Sequence, residues 1–112
     1  MTLLLEAQGV RLSVEGNRLR VDGDVDFEVA ASLAAAGSDW LADLPPGSRV
    51  VIDLGGVDRV SSAALSMLLQ WLRDSRGVGA EVTEVALSAP LARLTRLADL
   101  DALLPGGGAV VS

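Results

Sequence analysis

The stretch Asp53-Leu-Gly-Gly-Val-Asp-Arg-Val-Ser-Ser-Ala-Ala-Leu65 determines the fold that this sequence predicts. It begins at the end of the β-branched run Arg49–Leu54, which has the composition of a buried strand. Gly55-Gly56 then predicts a turn, a loop of small residues follows, and a helix begins near Ser62. Ser61 or Ser62 can cap the free N–H groups of that helix. A buried strand that leads through a short loop into a helix is typical of α/β domains with parallel strands.

Towards the N-terminus, two short segments predict a β-hairpin. Val10, Leu12 and Val14 alternate with polar residues, which is the period-2 pattern of a half-buried strand. The same alternation resumes over residues 19–21. Gly16-Asn17 lies between the two segments and favours a tight turn.

A long amphipathic helix is predicted next, over Phe27–Leu44. Asp24 or Asp26 can cap its N-terminus. Gly37 lowers helix stability by ~1 kcal/mol relative to alanine, which predicts a weak point or break in the second half. Trp40 falls in the middle of the apolar arc of this helix, so we expect it in the core.

Beyond the opening stretch, the pattern predicts a second helix over Ser62–Arg76 and a strand over Glu81–Ser88. Pro90 suits the first turn of a third helix. The residues expected on the inner side of that helix are Leu91, Leu94 and Ala98.

The element order is therefore β-β-α-β-α-β-α, and we expect an α/β fold in which helices cover a mixed β-sheet. A length of 112 residues suits one domain with one core, so residues 1–112 are interpreted as a single domain. Its last segment, residues 106–112, is expected to be a flexible tail or a weak edge strand.

Composition excludes several classes of protein. The chain has no cysteine and no histidine, which removes disulfides, thiolate metal sites and the commonest general base. No phosphate-cradling glycine-lysine motif or cluster of metal ligands appears, so we expect neither catalysis nor a bound metal or cofactor. A net charge of −6 without a basic stripe argues against binding to nucleic acid or to anionic lipid.

The hydropathy pattern predicts a cytoplasmic protein. No apolar run approaches the ~20 residues that a membrane-spanning helix needs. The N-terminal segment Met1–Leu5 carries no basic residue, and Glu6 follows it at once, which is unlike a secretory signal.

The order and spacing of these motifs resemble the STAS domain. The similar segments are the strand with Asp53-Leu-Gly-Gly-Val57, the helix start Ala63–Leu69, the motif Gly23-Asp-Val-Asp26 and the closing segment Leu91–Pro105. This fold is shared by anti-sigma-factor antagonists, by MlaB-type subunits of the phospholipid-transport ABC complex and by the cytoplasmic tails of sulfate transporters. The resemblance implies a domain that works by binding a protein partner.

The loop before the second helix distinguishes the members of this family. In anti-sigma-factor antagonists it reads Asp-Ser-Ser-Gly-Leu, and the second serine accepts phosphate. Aligned on Leu65, this chain has Ser61 at the aspartate position, Ser62 at the first serine and Ala63 at the phosphate acceptor. The hydroxyl residue followed by small residues is closer to the MlaB-type pattern, Asp-Thr-Gly-Gly-Leu. A slip of one residue would place Ser62 at the acceptor, so Ser62 and Ser61 are kept as candidate phosphate acceptors.

The second helix has more apolar surface than a sheet alone would cover. Its apolar arc spans roughly 200°–240°, whereas core packing requires ~100°. Trp71 on this arc either rests on a neighbouring helix or anchors a partner, and both alternatives stay open. The predicted partner-binding residues are Arg59, Ser61, Ser62, Ala63, Ser66, Met67, Gln70 and Trp71.

The resemblance implies two candidate functions. The first is a cytoplasmic accessory subunit that binds and supports the ATPase of an Mla-type phospholipid-transport ABC complex, and that reaches the inner membrane only through this complex. The second is an anti-sigma-factor antagonist that sequesters a kinase-like anti-sigma factor and releases it when phosphorylated.

Overall fold

The computed structural model of this chain describes residues 1–58 and 61–98, together with the backbone of 109–111. Within these ranges six strands form one sheet, and strands that are neighbours in the sheet are also consecutive in the chain. Three helices lie between the later strands in the sequence. The elements are β1 Thr2–Ala7, β2 Val10–Glu15, β3 Arg18–Gly23, α1 Phe27–Ala42, β4 Arg49–Val57, α2 Ser62–Gly77, β5 Glu81–Ser88, α3 Ala89–Leu97 and β6 Ala109–Val111.

The sheet is mixed, as expected. β1, β2 and β3 pair antiparallel, and β3, β4, β5 and β6 pair parallel. Parallel neighbours joined by a helix form right-handed crossovers, which place α1 and α2 on the same face of the sheet. The mixed α/β architecture, the hairpin β2–β3 and the three helices are therefore confirmed.

The first strand, β1, was not among the expected elements. Its sequence, Thr2–Ala7, has no alternation of apolar and polar residues, and its pairing with β2 contains an irregularity between Leu3 and Leu5. A two-residue turn, Gln8-Gly9, joins it to β2, and both turn residues have positive φ, +53° and +78°. The sequence lacks the asparagine or aspartate that usually signals such a turn.

The turn predicted at Gly55-Gly56 is wrong, because β4 continues through both residues to Val57. Gly56 pairs with Asp22 on β3, and a Cβ at Gly56 would collide with the Asp22 carboxylate. The glycine is therefore needed for the close approach of a side chain and not for a change of chain direction.

In α1, the aspartate cap is confirmed at Asp26, whose carboxylate accepts a hydrogen bond of 2.9 Å from the Val29 N–H. The helix runs without a break through Gly37 to Ala42 and ends two residues before the predicted Leu44. Trp40, expected in the core, is half-buried and packs against it.

The third helix begins as predicted, with Pro90 in its first turn and the Ser88 hydroxyl accepting from the Leu91 N–H. Leu91 is buried, but Ala98 is exposed, contrary to expectation, and Thr95 is buried instead. At the C-terminus, residues 109–111 form the edge strand β6 beside β5. Residues 106–108 and 112 of the expected tail lie outside the described part of the chain.

Candidate docking site on the paired helices

The loop before α2 is tied to the segment before α1. Ser61 stands at the N-cap position, but its side chain makes no capping hydrogen bond. Its hydroxyl donates instead to the Val25 carbonyl, at 2.9 Å. The Asp58 N–H donates to the Gly23 carbonyl, at 3.2 Å. The expected capping role of Ser61 is therefore wrong, because its hydroxyl serves to hold two neighbouring loops together.

Of the remaining predicted residues in this loop, Ser62 is exposed at the first position of α2, whereas Ala63 is buried. The hydroxyl of Ser62 is thus the accessible one of the two candidate phosphate acceptors. Arg59 lies outside the described residues.

A groove with a volume of about 370 Å³ runs between α1 and α2. Small side chains on both helices leave it open, because alanine fills little of the space between two helix backbones. Four of the predicted partner-binding residues line it, together with four residues of α1 and one more of α2. The lining consists of Phe27, Ala30, Ala31 and Ala34 from α1, and Ala63, Ser66, Met67, Gln70 and Arg73 from α2.

Five residues of the groove were not predicted from the sequence: Phe27, Ala30, Ala31, Ala34 and Arg73. Phe27 is the one large apolar side chain among them. Its ring is 72% exposed at the end of the groove, whereas large aromatic side chains are mostly buried. It directly follows the N-cap Asp26, so it lies at the helix end where little of the protein covers it. An aromatic residue directly after a predicted N-cap was the available signal.

Trp71 lies inside the fold, so its expected role as an exposed partner anchor is wrong. Its indole is fully buried against Gly37 of α1, where a Cβ would collide with the ring. The indole N–H donates to the Ala34 carbonyl, at 3.2 Å. The wide apolar arc of α2 is explained by two neighbours, since the sheet covers one side and α1 the other. Met67 is likewise almost fully buried, and it forms part of the groove floor.

A chain of polar side chains holds the rim of the groove. Arg73 donates to the Gln70 carbonyl oxygen, and the Gln70 amide donates to the Asp74 carboxylate, each at 2.9 Å. The Ser38 hydroxyl on α1 donates to the other oxygen of Asp74, at 2.5 Å. These contacts fix the amide of Gln70 at the groove and link the two helices.

The opposite face of the sheet is covered by its own charged side chains. Arg18 pairs with Asp53 at 2.7 Å, Arg20 pairs with Asp22 at 3.0 Å, and Arg11 pairs with Glu6 at 2.9 Å. The hydrogen bond and negative charge of Asp22 raise the pKa of Arg20. A partner that buried these ion pairs would remove the water that hydrates them, and the pairs would gain no new interaction to offset that cost. This face is therefore a poorer docking surface than the groove.

Two further observations concern metal binding and membrane insertion in the described part of the chain. Residues 1–58 and 61–98 contain no group of three or more carboxylates arranged to hold a metal ion. None of their helices is long and apolar enough to cross a membrane.

The arrangement thus defines an α/β domain with a preformed groove on its helical face. A family model described as "Mlab, STAS domain" matches residues 8–105, and the chain belongs to this STAS family. No curated protein matches the chain. Membership of this family indicates that the chain works, in general terms, as a binding or accessory module.

Proposed function

We propose that this chain is the accessory subunit that binds and supports the ATPase of an Mla-type phospholipid-transport ABC complex. The observation that carries the proposal is the match of residues 8–105 to the MlaB-type STAS family. In this proposal the docking surface is the groove between α1 and α2, with the adjoining loop at Ser61 and Ser62.

The shape and chemistry of the groove support a role in docking. Its floor is apolar and its rim carries the fixed amide of Gln70, so a partner would find both an apolar contact area and an orienting polar group. Phe27 offers an exposed aromatic ring of the type that anchors protein interfaces. Because the groove is preformed, docking costs little conformational entropy on this side of the interface.

Two of the three loop residues, Ser61 and Ala63, favour constitutive binding over a phosphorylation switch, and Ser62 is the one with an exposed hydroxyl. Ala63 has no hydroxyl to accept a phosphate and is buried, and the Ser61 hydroxyl already donates to Val25. The domain would act on the ATPase by population shift, since it can favour the active state only by binding that state more tightly.

The test is co-purification with the ATPase subunit of the phospholipid-transport complex from the same organism, followed by ATP hydrolysis rates with and without this chain. We expect a stable complex and an increased rate. Phe27→Ala should weaken the complex, whereas Leu97→Ala, which removes another exposed apolar side chain far along α3, should not. The absence of both binding and a rate change would show that the proposal is wrong.

The anti-sigma-factor alternative makes a different prediction. It requires transfer of one phosphate to Ser62 or Ser61 when the chain is incubated with ATP and a kinase-like anti-sigma factor. Intact-mass measurement would detect that transfer, and its detection would replace the proposal with the alternative.

A further inference from the structure

The side chain of Gln70 is held at the groove by two neighbours of opposite hydrogen-bonding type. Arg73 donates to the Gln70 carbonyl oxygen, and the Gln70 amide nitrogen donates to the Asp74 carboxylate, each at 2.9 Å. A guanidinium can only donate and a carboxylate can only accept, so the amide cannot turn over without losing both contacts. The direction of the amide is therefore set within this chain, before any partner binds.

Asp74 is itself held from the other helix. The Ser38 hydroxyl on α1 donates to the second oxygen of its carboxylate. Gln70 lines the groove, whereas Asp74 is not among the lining residues. The effect of Asp74 on a partner in the groove would thus be indirect, through the direction in which it holds the Gln70 amide.

One N–H group of Gln70 is left over. The amide nitrogen carries two N–H groups, and the hydrogen bond to Asp74 uses one of them. In the described part of the chain, the second N–H donates to no acceptor. The α1 side chains that line the groove are phenylalanine and alanine, which cannot accept it. Because Gln70 is half-buried, this N–H is available to water or to a partner in the groove.

We infer that Gln70 orients the ATPase partner by donating its second N–H to a free main-chain carbonyl of that partner, and that Asp74 is the positioning residue that holds the amide for this contact. This inference rests on the proposed function and specifies which group of the partner the groove recognises.

The acceptor on the partner is expected to be neutral. The charges of Arg73 and Asp74 beside Gln70 sum to zero, so this part of the groove offers no net positive charge to a carboxylate. Burial of a carboxylate without a compensating cation is costly. A main-chain carbonyl is neutral, and the last turn of a helix leaves several of them without a donor. The alanines of α1 allow the main chain of such a segment to approach closely.

The experiment measures the dissociation constant of the full chain with the purified ATPase subunit, for the original chain and for Gln70→Met. Methionine keeps the length and helix propensity of the side chain but has no N–H group. We expect the dissociation constant to rise about tenfold, because the partner carbonyl is left buried without its donor. A groove that offers only apolar contact predicts the opposite, since methionine would then bind equally or more tightly.

The matched control is Gln8→Met, which changes the other glutamine of the chain at an exposed position outside the groove. Its dissociation constant should equal that of the original chain. If Gln70→Met also bound as tightly as the original chain, or more tightly, the inference would be overturned while the proposed function remained intact.

Two substitutions at Asp74 separate positioning from a structural role. Asp74→Asn still offers an oxygen to the Gln70 N–H and should bind almost as the original chain does. Asp74→Ala releases the amide and should raise the dissociation constant several-fold. In the Gln70→Met background, however, Asp74→Ala should have no further effect on affinity, because no amide remains to be held. Additive effects of the two substitutions, in variants that thermal melts show to be folded, would refute the positioning role.

Two further outcomes also decide the matter. If the original chain does not bind the ATPase at all, the proposed function fails, and the inference with it. If alanine substitution of one polar side chain on the ATPase abolishes the difference between the original chain and Gln70→Met, the acceptor is a side chain and the inference is wrong.

Discussion

Replacing Gly37 by alanine should destabilise the protein, although the same change raises helix propensity. In an exposed helix interior, alanine is favoured over glycine by ~1 kcal/mol. At Gly37, however, the new Cβ would collide with the indole of Trp71. The indole is fully buried and cannot move towards solvent.

The magnitude follows from three contributions. Overpacking of a well-packed core costs ~1–3 kcal/mol. Displacement of the ring also breaks the hydrogen bond from the Trp71 indole to the Ala34 carbonyl, at a cost of ~1 kcal/mol. After subtraction of the gain in helix propensity, the free energy of unfolding should fall by about 1–3 kcal/mol. For a domain of this size, the melting temperature should fall by about 4–12 °C.

The assay is urea denaturation followed by circular dichroism, with a thermal melt as a second measurement. Gly77→Ala is the matched control, since Gly77 ends α2 and a Cβ there meets no atom within 4 Å. It should stabilise the protein or leave it unchanged. Trp71→Phe in the Gly37→Ala background should recover part of the loss, because the smaller ring leaves room for the methyl group. If Gly37→Ala stabilised the protein as Gly77→Ala does, the proposed packing of Trp71 against α1 would be refuted.

Two further predictions concern stability. Gln8→Asn should raise the free energy of unfolding by about 0.5–1 kcal/mol, because φ at Gln8 is +53° and asparagine tolerates that region better; a lower urea midpoint would contradict this. Asp74→Ala should cost about 1–2 kcal/mol, because Ser38 and Gln70 lose their shared acceptor. A double-mutant cycle with Ser38→Ala checks this second prediction, and a coupling energy near zero would show that the contact between Ser38 and Asp74 does not stabilise the helix pair.

The fold was largely predictable because, in most elements, the apolar residues recur with the spacing of either a helix or a strand. The hairpin and the strand Glu81–Ser88 show clear patterns, and α1 and α2 have caps or glycines near their ends. β1 was missed because Thr2–Ala7 lacks alternation, and the C-terminal end of β4 was misjudged because glycine signals both turns and close approaches.

Only half of the groove could be anticipated from the sequence. Residues of α2 were predicted to bind a partner because its apolar surface exceeds what a sheet alone would cover. The helical periodicity does not show which neighbouring element covers each side of the helix. The pairing of Ala34 with Trp71 depends on how two crossovers place α1 beside α2, and this is a tertiary property. For the same reason the α1 side of the groove, including Phe27, became apparent only in the folded chain.

The most direct test of the central claim is the affinity of the ATPase subunit for a chain whose groove has been filled. Ala31 is exposed and lines the groove, so Ala31→Gln would place a neutral, helix-compatible side chain in the docking surface. The adjacent Ser32 is exposed outside the groove, and Ser32→Gln is the matched control. We predict that the dissociation constant rises about tenfold or more for Ala31→Gln and stays unchanged for Ser32→Gln. Equal affinities of both variants and the original chain would contradict the assignment of this groove as the docking site.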